Sequence, residues 1–108
     1  GYTLALSAIT PLTLSPHLGR VGYAPLRDIA PVVSVMATPA LVVGTPALEG
    51  TSLAEALAHA RRAPGALRWA TSGVGTTGHL MMVRVAAAAG VDVVHVPYKG
   101  GGTQLNDA

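Results

Sequence analysis

The second half of the chain opens with a helix whose two ends are marked by polar residues, proline and glycine. Ser52-x-x-Glu55 is a capping box, in which a hydroxyl and a carboxylate accept hydrogen bonds from the first free amides of a helix. Apolar residues at helical spacing follow, and Pro64-Gly65 ends the helix. Leu67, Trp69 and Thr71 then alternate with Ala66, Arg68 and Ala70, which predicts a short strand.

A second helix and a second strand come next. The apolar spacing predicts a helix over about residues 78–89, and Gly90 is expected to end it in a left-handed conformation. Residues 92–96 form a β-branched run that predicts a strand, and another helix is expected to start near Gln104. Helices and strands that alternate with short connections are typical of βαβ units, so the fold class is α/β with a parallel sheet.

The first part of the chain has a different pattern. Apolar runs predict strands over Tyr2–Ile9, Pro31–Thr38 and Ala40–Gly44, and Leu12–His17 predicts a short helical turn. The pattern changes at residues 44–50, which we expect to be a domain boundary or hinge.

Composition narrows the class of protein. The chain is 50% hydrophobic and 11% charged without cysteine, which indicates a folded chain and not a disordered or disulfide-stabilised one. A formal charge of +2 from scattered basic residues argues against a nucleic-acid partner. The chain starts without an initiator methionine or a secretory leader and ends in the first turn of a helix, so we expect an internal piece of a longer protein.

The loop between the first predicted strand and the second helix is the strongest candidate site. Its three glycines allow backbone N–H groups to approach a ligand closely, and the helix start adds partial positive charge, so the loop favours an anion. One of its two threonines is expected to be the helix N-cap. The alternative is a tight turn that binds nothing. The candidate contacts are Ser72, Gly73, Gly75, Thr76, Thr77 and Gly78.

The same loop spells Gly73-x-Gly75-x-x-Gly78, the fingerprint of dinucleotide-binding folds, which leaves an NADP-binding oxidoreductase fragment as the alternative function. An NAD site expects an acidic residue at the carboxyl end of the following strand, whereas Asp92 stands at its beginning. Lys99, beyond that strand, could meet a 2′-phosphate, so NADP stays open.

A second glycine-rich turn, Tyr98–Thr103, follows the second predicted strand. Because the carboxyl ends of parallel strands meet at one edge of a sheet, we expect this turn to lie beside the first glycine loop. Tyr98 could stack on a ligand or donate to it, and Lys99 could supply a positive charge. Alternatively, Tyr98 packs under the loop and Lys99 is a solvated surface residue.

The histidines and acids give no support to catalysis. Four histidines, at positions 17, 59, 79 and 95, have no spacing that fits a metal site, and no Gly-x-Ser-x-Gly or paired carboxylate occurs. We therefore predict no metal, no cofactor, no catalytic residue and no enzyme. His79 is the histidine placed to touch a ligand, whereas His95 is predicted to be a core or strand-face residue.

Several spaced motifs occur in order: Gly1-Tyr2-Thr3-Leu4, Pro25-x-x-Asp28-Ile29-Ala30-Pro31-Val32, Ser52-Leu53-Ala54-Glu55, Pro64-Gly65, Ser72-Gly73-x-Gly75-Thr76-x-Gly78-His79-Leu80 and His95-Val96-Pro97-Tyr98-Lys99-Gly100-Gly101. With these motifs the chain resembles the solute-binding receptors of tripartite tricarboxylate transporters, the Bug family of periplasmic proteins. The resemblance covers almost the whole chain and matches the middle of such a receptor.

The resemblance implies a two-lobed, type II periplasmic binding-protein fold, with parallel or mixed sheets flanked by helices, that closes on a small carboxylate. Residues 1–43 would be part of the first lobe, residues 44–50 the hinge or crossover, and residues 51–108 part of the second, ligand-binding lobe. It also implies a periplasmic receptor that delivers an organic acid to the membrane permease subunits of the transporter and is a monomer when complete.

The resemblance also assigns ligand contacts. In the second lobe these would be the residues of the first glycine loop, with Tyr98 and Lys99 near the same edge. In the first lobe they would be Ser7 and Thr10, although Ile9 and Pro11 are bulkier than the family's pattern at that place.

Overall fold

The computed structural model describes residues 3–48 and 50–107, in two units that divide after Pro39. The first unit contains helices α1 (Thr10–Thr13), α2 (Ser15–Leu18) and α3 (Pro25–Asp28). The second contains α4 (Leu53–Arg62), β1 (Arg68–Thr71), α5 (Thr77–Ala89), β2 (Val94–Pro97) and α6 (Gly101–Asp107). None of the described helices is long and apolar enough to cross a membrane. The predicted lobes and the hinge at residues 44–50 stay a prediction.

The three helices of the first unit are single turns, and each carries a proline at its first or second position. Proline suits that place because the first amides of a helix have no partner within it. The helical turn predicted over Leu12–His17 is therefore confirmed, although it is divided between α1 and α2. The Tyr23 hydroxyl donates to the Pro11 carbonyl at 2.6 Å, which ties the loop after α2 back to α1.

The three strands predicted in the first part of the chain are wrong for the residues that the structure describes. Tyr2 lies outside those residues, and residues 3–8, 31–38 and 40–44 form no strand. Their side chains are exposed, with Val32 at 79% and Leu41 at 83%. A strand needs a backbone partner as well as an apolar pattern. No described segment pairs with these runs, so the pattern alone does not produce a sheet.

Helix α4 starts as predicted at Ser52, whose hydroxyl accepts from the Glu55 amide at 3.3 Å. The Glu55 carboxylate reaches one residue further back than a standard capping box, because it accepts from the Thr51 amide at 2.6 Å and from the Thr51 hydroxyl at 3.2 Å. Ala56 and Ala60 form the buried face of the helix, whereas Leu53 stays 43% exposed.

The second unit is a βαβ unit, as the sequence predicts. β1 and β2 pair in parallel, with Trp69 opposite His95 and Thr71 opposite Pro97, and α5 connects them. Helix α5 ends at Gly90, whose φ of 62° and ψ of 41° are left-handed. The buried side chains of this unit are Ala56, Ala60, Leu67, Thr71 and Met82. Beyond β2, the Gln104 side chain of α6 donates to the Ala70 carbonyl at 3.1 Å.

Replacing Ser52 with alanine removes the acceptor for the Glu55 amide at the start of α4. We expect S52A to lower the free energy of unfolding by about 1 kcal/mol, the usual cost of a lost N-cap. Chemical denaturation of the full-length protein measures this, with Thr38→Ala at an exposed position as the control. Equal stability of S52A and T38A would contradict the role assigned to the cap.

Candidate functional site

The backbone pairing of β1 and β2 continues beyond both strands. The Tyr98 amide donates to the Thr71 carbonyl at 2.8 Å, and the Gly100 amide donates to the Ser72 carbonyl at 3.2 Å. These bonds bring the glycine loop, defined as residues 72–78, beside the second turn, defined as residues 98–103. The prediction that the two turns are neighbours is therefore confirmed.

Thr76 organises the glycine loop from within. Its hydroxyl donates to the Gly73 carbonyl at 2.7 Å, and its backbone amide donates to the same carbonyl at 3.4 Å. Thr76 is also the N-cap of α5, because its side chain accepts from the His79 amide. Of the two threonines that the sequence offers as the cap, Thr76 is the one that fills the position, and Thr77 is the first residue of the helix.

Two glycines of the loop adopt a backbone that other residues rarely reach. Gly73 has a φ of 142° and Gly75 a φ of 76°. A Cβ atom on Gly73 would also lie 3.3 Å from the Tyr98 carbonyl oxygen, so the missing side chain lets the two turns approach each other. Gly78, in the first turn of α5, packs over the Thr71 side chain, which would lie 3.7 Å from a Cβ on Gly78.

Thr71 anchors the loop from the end of β1. Its side chain is 2% exposed, and its hydroxyl lies 2.7 Å from Nε2 of His95. The same hydroxyl oxygen lies 3.4 Å from the Gly73 amide nitrogen and 3.3 Å from the Gly73 carbonyl oxygen. One buried threonine therefore links the second strand to the backbone of the glycine loop.

His79 holds the loop from the helix side. The Gly75 amide donates to Nδ1 of His79 at 3.1 Å. The rings of His79 and His95 are stacked, with centroids 4.3 Å apart and an angle of 4° between their planes. Partial burial lowers the pKa of His95, and the positive charge of a protonated His79 would lower it further.

The connection between the two histidines and the loop is not among the features predicted from the sequence. The half-buried ring of His95 stands in β2, as a core or strand-face residue would, but it also contacts Thr71 and His79. A signal was present in the pattern. Thr71 and His95 come from paired parallel strands in a predicted βαβ unit, and Gly75 and His79 are four residues apart at a helix start.

The loop's amides divide into occupied and open groups. The N–H groups of Gly73, Gly75 and Thr76 donate to atoms of residues 71–79. The N–H groups of Ser72, Val74, Thr77 and Gly78 donate to no described residue, and the last two lie in the first turn of α5. The amides of Thr77 and Gly78 are therefore open to an acceptor at the helix start, while those of Gly73 and Gly75 are occupied within the loop.

Tyr98 and Lys99 stand at the start of the second turn. Tyr98 is half-buried, and Lys99 is exposed. Burial raises the pKa of the Tyr98 hydroxyl, and the nearby carboxylate of Asp107 in α6 raises it further. Tyr98 is thus a neutral donor at physiological pH. The assignment of Tyr98 and Lys99 as ligand contacts stays a prediction.

Ser7 and Thr10 belong to the first unit, before and at the start of α1. The exposed Ser7 hydroxyl donates to the Ala8 carbonyl at 3.0 Å. Their assignment as first-lobe contacts stays a prediction.

Within the described ranges, no group of three or more histidine, cysteine, aspartate or glutamate side chains could hold a metal ion.

Comparison with known proteins identifies the family. The family described as "Tripartite tricarboxylate transporter family receptor" matches residues 1–108. The chain belongs to this receptor family. The resemblance stated from the sequence motifs is thereby confirmed.

Individual relatives agree with the family match. The receptor chain is 36% identical over 107 residues to the UPF0065 protein in the tcbD-tcbE intergenic region of Pseudomonas sp. strain P51, which covers 99% of this chain and 32% of that protein. It is 32% identical over 109 residues to the protein BugT of Bordetella pertussis, covering 99% of this chain and 33% of BugT. No solved structure was found to match. The chain spans about a third of the length of the curated relatives it matches.

Replacing Thr71 removes the hydroxyl that joins β2 of the receptor chain to its glycine loop. We expect Thr71→Val to lower the free energy of unfolding by about 1–3 kcal/mol, because partly buried polar atoms of His95 and Gly73 lose their partner. Thr71→Ser keeps the hydroxyl and serves as the matched control. Denaturant unfolding of the full-length protein measures both variants, and a larger loss in Thr71→Ser than in Thr71→Val would mean that the methyl group, not the hydroxyl, matters.

The lowered pKa of His95 predicts acid sensitivity. The folded chain disfavours protonated His95, so below about pH 6.5, the ordinary histidine pKa, the unfolded chain takes up the proton more readily. The contribution of this residue to stability is therefore present above that pH and is lost as the pH falls towards the folded-state pKa. His95→Gln should flatten the stability-against-pH curve in this range. An unchanged slope would show that His95 is not the source.

Proposed function

We propose that this chain is part of an extracytoplasmic solute-binding receptor that captures a small carboxylate for a tripartite tricarboxylate-type transporter. Membership of the receptor family supports a solute-binding role. The proposal includes the carboxylate ligand, the permease partner, the periplasmic location and the absence of enzymatic activity. It also includes a two-lobed fold and a complete protein that is a monomer.

The single observation that carries the carboxylate assignment is the pair of open N–H groups at Thr77 and Gly78. They stand at the start of a helix of 13 residues, where the peptide dipoles sum to a partial positive charge. A carboxylate oxygen there would gain both hydrogen bonds and the favourable field of α5. Thr77 is exposed and Gly78 is half-buried.

The surroundings of these amides suit recognition without a strong cationic clamp. Ser72 and the Thr77 hydroxyl could donate to the same ligand, and Tyr98 stands across the paired turns. Lys99 is the cation in the second turn, and its exposed position favours attraction of an anion over a fixed salt bridge. Ordered water would complete the contacts between the backbone and the carboxylate.

Transport follows from capture in a cleft. In this proposal, residues 51–108 contribute one wall of the cleft, residues 1–43 contribute to the other lobe through Ser7 and Thr10, and residues 44–50 allow the lobes to close. Closure would replace the hydration of the carboxylate with fixed dipoles, and the closed form would be the state that the permease recognises.

One feature of the glycine loop counts against the NADP-binding alternative. Dinucleotide sites use the glycine-rich backbone to approach the pyrophosphate, whereas here the Gly75 amide already donates to His79. The matching family is described as a receptor family, which supports the receptor over the oxidoreductase. NADPH therefore belongs in the test as the competing ligand.

A thermal-shift screen of the full-length protein tests the proposal against dicarboxylates, tricarboxylates, aromatic acids, acidic amino acids and NADPH. A carboxylate present at about a hundred times its Kd should add about 2.7 kcal/mol of stability, which is a readily measured shift. We expect a shift with a carboxylate and none with NADPH. A shift with NADPH alone would overturn the receptor assignment.

Gly73→Ala locates the binding site. The added Cβ is strained at a φ of 142° and lies 3.3 Å from the Tyr98 carbonyl oxygen, so the two turns must move apart. We expect affinity for the carboxylate found in the screen to fall about tenfold or more, equivalent to about 1.4 kcal/mol. Gly22→Ala is the matched control, because a Cβ on Gly22 would have no neighbour within 4 Å. Equal affinity of G73A and G22A would move the site away from the glycine loop.

A further inference from the structure

The hydrogen bonds of the glycine loop require His79 in one protonation state. Nδ1 of His79 accepts from the Gly75 amide, so this nitrogen carries no proton and the neutral ring holds its proton on Nε2. A protonated ring would present an N–H at Nδ1. Two donors would then face each other across 3.1 Å, and the bond that fixes Gly75 would be lost.

We propose that His79 and His95 form a neutral stacked pair that positions the glycine loop, and that protonation of His79 releases the loop and weakens ligand binding. The inference rests on the proposed function for its consequence in binding. Its structural part rests on three contacts alone: Gly75 with His79, His79 with His95, and His95 with Thr71.

The stacking opposes positive charge on the pair. With centroids 4.3 Å apart and planes nearly parallel, a proton on one ring places its charge directly over the other. The two rings therefore cannot both be charged without strong repulsion. His95 is further restrained by its partial burial and by the Thr71 hydroxyl at 2.7 Å.

No acidic side chain among the described residues acts on His95, and the charged groups on neighbouring elements are exposed. The glycine loop itself contains no ionisable residue. The Asp107 carboxylate acts on Tyr98 instead. The charged residues on β1, α5, the second turn and α6 are Arg68, Arg84, Lys99 and Asp107, and all four are exposed.

The ligand-binding amides depend on the same contacts. Gly75 lies directly before Thr76, the N-cap of α5, and the open N–H groups of Thr77 and Gly78 follow at once. When Gly75 is held by His79, the chain enters the helix in one fixed direction. Loss of that contact would let the loop sample other conformations, and the ligand would then bear the entropy cost of ordering it. His79 is thus a positioning residue, acting through Gly75.

NMR of the full-length protein with labelled histidine and glycine tests the structural part without any ligand. We expect Nδ1 of His79 to behave as an unprotonated acceptor at about pH 8, and the Gly75 amide signal to change together with the protonation of the His79 ring as the pH is lowered. A Gly75 amide signal that does not change when His79 is protonated would overturn the proposal.

Formate binding, followed in the same spectra, tests the functional part, because the charge of formate stays constant over this range. We expect affinity to fall roughly three- to tenfold from about pH 8 to about pH 5, the size expected for one lost hydrogen bond. A protonated His79 also adds a positive charge near the loop, which by itself would strengthen anion binding. Tighter binding at the lower pH would therefore contradict the proposal.

Two substitutions at His79 separate positioning from packing. His79→Asn keeps an oxygen acceptor close to the place of Nδ1 but cannot titrate, so it should bind formate more tightly than His79→Leu and lose the pH dependence. His17→Asn, at an exposed histidine of the first unit, is the control and should follow the wild-type pH profile. A wild-type profile in His79→Asn would exclude His79 as the sensor, even if His79→Leu fails to fold.

The two proposals fail in different ways. If formate and the carboxylates of the thermal-shift screen bind at neither pH, the proposed function is wrong, and the Gly75 signal still decides whether the histidine pair holds the loop. If a carboxylate binds and the Gly75 signal is independent of His79, the receptor assignment stands and the histidine proposal fails.

Discussion

The parallel pairing of β1 and β2 is the interaction on which the rest of the second unit depends. The register that sets Trp69 opposite His95 continues past the strand ends, through the Thr71 carbonyl and then through the Ser72 carbonyl. Those two bonds bring together segments that are more than twenty residues apart in sequence. Helix α5 then leads from the glycine loop back towards the start of β2. The first turn of α5 therefore follows the carboxyl end of β1, at the same edge of the sheet as the second turn.

The glycine loop beside this pairing is stabilised by contacts between residues close in sequence and by contacts between separate elements. Thr76 closes the loop by hydrogen bonds with Gly73 and His79, each three positions away. Such bonds depend only on the conformation of the local backbone. Thr71 and His95 add contacts between separate elements, and Thr71 is almost completely buried. Local bonds define the shape of the turn, and the buried threonine fixes where that turn sits relative to the second strand. A binding loop needs both, because the cost of ordering it is then met before a ligand arrives.

The sequence predicts those parts of the fold whose causes are local. The cap at Ser52, the left-handed end at Gly90 and the turn residues between β1 and α5 each act within a few positions. The parallel pair also follows from the order of the elements. Strands over residues 31–38 and 40–44 were predicted wrongly because an apolar, β-branched run indicates a strand only when a partner supplies the other half of the hydrogen bonds. For the site, glycine spacing located the loop, but which amides are already occupied depended on rotamers of Thr71, His79 and His95 that no one-dimensional pattern contains.

The open donors of the loop belong to the main chain. A substitution of Thr77 by any residue other than proline changes the side chain and leaves the N–H of that residue in place. Under the proposed function, preference for a negatively charged group would therefore survive most substitutions at Thr77. Selectivity for the size and shape of the rest of the solute would then depend on neighbouring side chains. A scaffold with this separation can acquire new solutes over evolutionary time without having to rebuild the part that holds the charge.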